Sequence, residues 1–96
     1  MRKFKLTDNT GGGSKMCCFD ASYNDIANVL GEANLGESGD GKTSHEWQVE
    51  DNEGNIYYIY DWKYYQRYDK DDTITYTIGG DDIQGARELA ALFAQK

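Results

Sequence analysis

The sequence predicts an α+β domain: an antiparallel sheet of about five strands with two helices packed on one face. Three observations carry that prediction. Apolar and polar residues alternate with period two in short segments, as half-buried strands require. Two other segments repeat their apolar residues at i, i+3, i+4 and i+7, and each follows a residue that caps helices well. The order of segments is strand, strand, helix, three strands, helix, which suits helices collected on one face of an antiparallel sheet. At 96 residues the chain is read as one domain, 1–96.

Residues 2–7 alternate charge with Phe4 and Leu6 and predict an edge strand. Residues 8–14 contain three consecutive glycines, which are costly to order, and predict a flexible loop. Residues 15–20, short and apolar, predict a second strand paired with the first across that loop. Ser22 or Asp20 can cap a helix whose stripe is Tyr23, Ile26, Ala27 and Leu30, with Gly31 at its C-terminal end. Residues 32–43 lack periodicity and are rich in glycine and charge, so 35–43 are expected to form another flexible loop.

In the next segment His45, Trp47 and Val49 share the face expected in the core, and Glu46, Gln48 and Glu50 share the other. Asp51-Asn52-Glu53-Gly54 reads as a hairpin turn with Gly54 in the left-handed position. Residues 55–62 are apolar on both faces, Ile56, Tyr58, Tyr60 and Trp62 against Tyr57 and Ile59. Such a strand is central, or its second face binds something. Residues 63–72 read as a charged aromatic loop. In the last strand Ile74, Tyr76 and Ile78 oppose a wet face of Thr73, Thr75 and Thr77. Gly79 and Gly80 end it, and Asp81 or Asp82 caps a helix lined by Ile83, Ala86, Leu89, Ala90 and Phe93.

Seventeen acidic residues against ten basic give a net charge of −7, the wrong sign for attraction to phosphate backbones and the right one for a basic partner. No apolar run approaches the roughly 18 residues of a membrane span, and the basic start lacks the apolar stretch of a secretory signal, so a cytoplasmic protein without a membrane is expected. Cys17 and Cys18 are adjacent and would point to opposite faces of a strand, which argues against a structural disulfide between them.

Residues 36–43, GESGDGKT, match the G-x-x-x-x-G-K-[ST] pattern that cradles nucleotide phosphates. The motif needs a strand before it and a helix after it, and here a helix end precedes and a strand follows, so no nucleotide is expected. Asp69 and Asp71 have the spacing of a calcium loop, but Ile74 stands where its glycine belongs and no glutamate closes it. Cys17, Cys18 and His45 are too few for a tetrahedral zinc site and supply no oriented nucleophile with an oxyanion site. The expectation is therefore no metal, no cofactor and no catalytic residues.

Residues 44–80 hold both tryptophans and seven of the eight tyrosines. Tyrosine combines a large apolar body with a hydroxyl that needs a partner or water, and it is enriched where proteins bind one another. The candidate partner-binding residues are the aromatic and basic Tyr57, Lys63, Tyr64, Tyr65, Arg67 and Tyr68, with the carboxylates Asp69, Asp71, Asp72, Glu50, Asp51 and Glu53. Rings on a sheet also stack single-stranded nucleic acid, but such platforms sit in positive grooves, so direct nucleic-acid binding is the lesser expectation.

Ile59-Tyr60-Asp61-Trp62-Lys63 after a turn, a later strand ending Ile78-Gly79-Gly80, a closing helix and an upstream Leu30-Gly31-Glu32 together resemble small uncharacterised proteins of tailed bacteriophages. Those proteins carry I-Y-D/N-W-K, W-H-I-G-G and L-G-E segments. The likeness spans residues 23–93 and departs at Tyr76-Thr77, where the family has Trp-His. It implies a phage origin and no assigned activity. By analogy, a small acidic phage protein is expected to be a non-enzymatic inhibitor of a host protein with a basic surface. The targets expected are a defence system, as for anti-CRISPR proteins, or a nucleic-acid-handling enzyme met by DNA mimicry. The alternatives are a single-stranded nucleic-acid module and a phage assembly factor.

Overall fold

Five strands form one antiparallel sheet, and both helices lie on a single face of it, in a computed structural model that describes residues 3–9, 11, 14–34, 45–61 and 69–93. The elements are β1 (Phe4–Leu6), β2 (Ser14–Ala21), α1 (Tyr23–Leu30), β3 (Glu46–Asp51), β4 (Ile56–Tyr60), β5 (Ile74–Gly80) and α2 (Ile83–Ala91). The strand order is β1-β3-β4-β5-β2. The expected α+β architecture holds, with β4 central and β1 at an edge.

The expected pairing of β1 with β2 does not. They occupy opposite edges, β1 against β3 and β2 against β5. Apolar length decides this. The seven residues of β5 offer β2 a long ladder running from Ser14 opposite Gly80 to Ala21 opposite Ile74, whereas β1 offers only three residues. The connection must then cross four strand spacings, about 19 Å, which residues 7–13 can span at about 3.4 Å each.

Its described residues are tied to the sheet. Gln48 Nε2 donates to the Asn9 carbonyl, Asn9 Nδ2 donates to Glu50 at 3.2 Å, and Gly11 N–H donates to the Tyr58 hydroxyl at 3.1 Å. Glycine is required for this approach: a Cβ on Gly11 would lie 2.8 Å from Ile56 Cβ and 2.7 Å from an Asp81 carboxylate oxygen. Residues 35–43, the other expected loop, lie outside the described residues.

The core sits between the helices and one sheet face. Trp47 and Val49 of β3, Tyr57 and Ile59 of β4, Ile74, Tyr76 and Ile78 of β5 and Phe19 and Ala21 of β2 meet Tyr23 and Ile26 of α1 and Ala86, Leu89 and Phe93 near α2. Trp47 is fully buried and its indole N–H donates to the Gly31 carbonyl at 2.9 Å, so its one polar group is satisfied. Phe19 stacks on Phe93 at 5.2 Å, and Tyr23 packs on Trp47 at 4.9 Å. His45, expected beside Trp47 in the core, is half-exposed, with its ring edge against Tyr23 at 4.9 Å.

The helix ends follow their residues. Ser22 caps α1 through a reciprocal pair with Asp25, and Gly31 closes it at φ +97°. Asp82 caps α2 by accepting from Gly85 N–H at 2.8 Å, while Asp81 accepts from Ile56 N–H and extends the sheet. Ile83, expected on the buried stripe of α2, is exposed, and Thr77, expected wet, is buried. Thr77 lies in register between Tyr60 and Cys18, with its hydroxyl 3.8 Å from Cys18 Sγ.

Candidate functional site

Two expected surface residues prove internal. Tyr57 is fully buried and donates its hydroxyl to Asp51 Oδ2 at 2.7 Å. The ring fits because Gly80 and Gly85 lack side chains: a Cβ on Gly80 would lie 2.7 Å from Tyr57 Cδ1, and one on Gly85 would lie 1.8 Å from its hydroxyl oxygen. Asp51 is 3% exposed and also accepts from the N–H groups of Glu53 and Asn55 and from Asn55 Nδ2. Burial alone would raise the Asp51 pKa. The hydrogen bonds from Tyr57, Asn55 and Glu53 together outweigh it and hold the carboxyl below its ordinary value. Asp51 and Tyr57 therefore fix the β3–β4 turn and are withdrawn from the partner-binding set. Alternation hid this, because a carboxylate at a strand end reads as a solvated turn residue until its donors are known.

The other predicted carboxylates split between the two ends of β4. Glu53 is exposed in the turn at one end, where Gly54 takes φ +86° as expected. Asp69, Asp71 and Asp72 are exposed at the other, before β5. Asp72 accepts from Asp69 N–H at 2.9 Å, and Asp71 accepts from Asn24 on α1 at 2.6 Å. Glu50 lies on the sheet and accepts from Thr7 and Asn9. Lys63, Tyr64, Tyr65, Arg67 and Tyr68 lie outside the described residues.

What the strands bring together instead is the sheet face away from the helices. By register, Glu46, Tyr60, Thr77 and Cys18 form one row across it, Gln48, Tyr58, Gly79 and Lys15 a second, and Thr75 lies opposite Asp20. Tyr58 and Tyr60 are half-exposed, and Asp20, Cys18 and Thr75 are exposed. Asn9 and Gly11 lie against Gln48 and Ile56, which are 5% exposed each, so the more open described area lies toward Tyr60.

Described carboxylates outnumber described cations at that end. Glu46, Asp20, Asp61, Asp69, Asp71 and Asp72 gather around the end of β4 and the start of β5. Lys70, the only described Lys or Arg in that stretch, is held over the Tyr23 ring at 4.7 Å. Burial and the nearby Asp61 raise the Glu46 pKa, and Glu46 makes no hydrogen bond or ion pair with any described residue. Burial, Glu46 and Cys18 likewise push the Tyr60 hydroxyl up. Asp61, fully buried, accepts from His45 N–H at 3.2 Å and approaches His45 Nδ1 at 3.8 Å. Neither Glu46 nor Tyr60 is among the expected partner-binding residues, although the two-sided apolar pattern of β4 and the Glu46-Gln48-Glu50 alternation place both on the face opposite Trp47.

A groove of about 320 Å³ between β1 and the β3–β4 turn is lined by Lys3, Lys5, Glu50 and Asn52, among others. Lys5 there is registered opposite Glu50, so the groove carries charges of both signs. Among the described residues no three His, Cys, Asp or Glu side chains are grouped to hold a metal, and no described helix is long and apolar enough to cross a membrane. No family model, curated protein or solved structure matches the chain.

Proposed function

We propose that this is a non-enzymatic binding protein whose helix-free sheet face, at its Glu46–Tyr60 end, receives a basic surface of a partner protein. The observation that supports this is Glu46 itself: a half-buried carboxylate with no compensating donor or cation among the described residues, beside a half-exposed tyrosine. Such a group costs stability in the isolated domain, and a cation supplied by a partner would offset the cost. Tyrosines in the same row would supply desolvated anchoring area, and the surrounding carboxylates would steer the encounter. With the resemblance to phage proteins, the reading extends to an inhibitor of a bacterial defence or nucleic-acid-handling protein, acting by nucleic-acid mimicry.

The test is capture from bacterial lysate by the parent and by Glu46→Arg and Tyr60→Ala variants of unchanged melting temperature, each at low and high salt. The proposal expects a basic protein retained by the parent at low salt and lost by both variants. Equal retention by all three would remove the face from the account. Two tyrosines on an open sheet face also resemble a base-stacking platform. Binding of single-stranded oligonucleotides by the parent, lost with Tyr58→Ala and Tyr60→Ala, would replace the protein partner with nucleic acid.

A further inference from the structure

We infer that the outer edge of β2 is where an extended, cationic segment of the partner adds to the sheet as a sixth strand; the inference rests on the basic-partner reading. The two sheet edges are unlike. β1 offers three residues, with Lys5 in its middle and Lys3 just before it, a short and charged edge of the kind that resists pairing. β2 runs for eight residues, and beyond its pairing with β5 none of its backbone groups bonds to a described residue. Its irregularity falls between Lys15 and Cys17, which leaves residues 17–21 as a regular ladder without proline. A row of backbone donors and acceptors that no described residue pairs is a template for another strand.

The side chains along that row say what the strand would carry. Cys18 and Asp20 face the helix-free side, where Asp20 accepts from Thr75 at 2.6 Å and belongs to the acidic end of the sheet. Cys17, Phe19 and Ala21 face the helix layer. There Cys17 Sγ lies 3.7 Å from the Ala86 carbonyl, so α2 with the neighbouring Arg87 packs beside the strand on that side; burial and Cys18 push the thiol up, and Arg87 pulls it back. An added strand would therefore set its basic residues on the helix-free side, opposite Asp20, and apolar residues on the side of Phe19 and Arg87. A second copy of this chain fits worse, because it would bring −7 against −7.

The test uses isotope-labelled protein and a capped eight-residue peptide of alternating arginine and valine at low ionic strength, with a glutamate–valine peptide as control. The inference expects amides at alternate positions within residues 17–21 to exchange at least tenfold more slowly with the arginine peptide, with β1 unchanged. Asp20→Lys, which exchanges an attractive cross-strand pair for a repulsive one, should weaken that binding about tenfold. If the arginine peptide shifts Glu46, Tyr58 and Tyr60 but leaves β2 exchange unaltered, the edge is wrong and the basic-partner reading stands. Equal protection by the glutamate peptide, or protection of β2 that rises with protein concentration alone, would also overturn the inference. No response of any residue to the arginine peptide would overturn both it and the basic-partner reading.

Discussion

Asp51 shows how much one side chain can fix. It accepts from three backbone or amide groups of its own turn and from the buried hydroxyl of Tyr57, so removing it strands several donors at once. Asp51→Ala should cost about 2–4 kcal/mol, read from urea unfolding. Its depressed pKa sets the sign with pH. The stabilisation is present above the unfolded-state value near 3.8 and is lost as pH falls through the lower folded-state value. The parent should therefore lose stability below about pH 4, and Asp51→Ala should lose less over that window.

Glu46 has the opposite sign. Its raised pKa means the charged form is disfavoured by folding, so the penalty appears as pH rises through that value. Glu46→Gln should raise the melting temperature at pH 7 and leave it unchanged near pH 3. A lower melting temperature at pH 7 would show that the carboxylate holds the fold together.

At the scale of elements, Gly85 separates propensity from packing. Alanine is the better helix former by about 1 kcal/mol, yet its Cβ would meet the Tyr57 hydroxyl oxygen at 1.8 Å in a site with no room to yield. Gly85→Ala should destabilise by about 1–3 kcal/mol, and a rise in stability would show that Tyr57 is not seated there. Trp47→Ala, in the face that alternation assigned to the core, should cost about 3–5 kcal/mol in the same unfolding assay.

Both helices, a short choice of caps for each, the Gly54 turn and the buried pair Trp47 and Val49 were legible because period and capping are local. The pairing of β2 was not, because strand order depends on ladder length and on a connection in which Gly11 serves close approach to the sheet. The withdrawal of Tyr57 from the surface was illegible for a related reason. On a strand apolar on both sides, alternation sorts residues into two faces without saying which one the helices cover. The Glu46–Tyr60 row was written in the same pattern, and only the register identified it as the open face.

For the whole molecule, both helices lie on one face of the sheet, and at the Glu46–Tyr60 end of the other face described carboxylates outnumber described cations. If that end receives a basic partner, its carboxylates act at long range and should govern association, while Tyr60 should govern dissociation. The most direct measurement is surface plasmon resonance at two ionic strengths against the partner recovered from lysate, comparing the parent with an Asp20→Asn, Glu46→Gln, Asp71→Asn variant. The account predicts association about tenfold slower at low salt, with a flattened salt dependence and a dissociation rate little changed. Association as fast as the parent at low salt would contradict it and reduce the acidic end to a solvated surface.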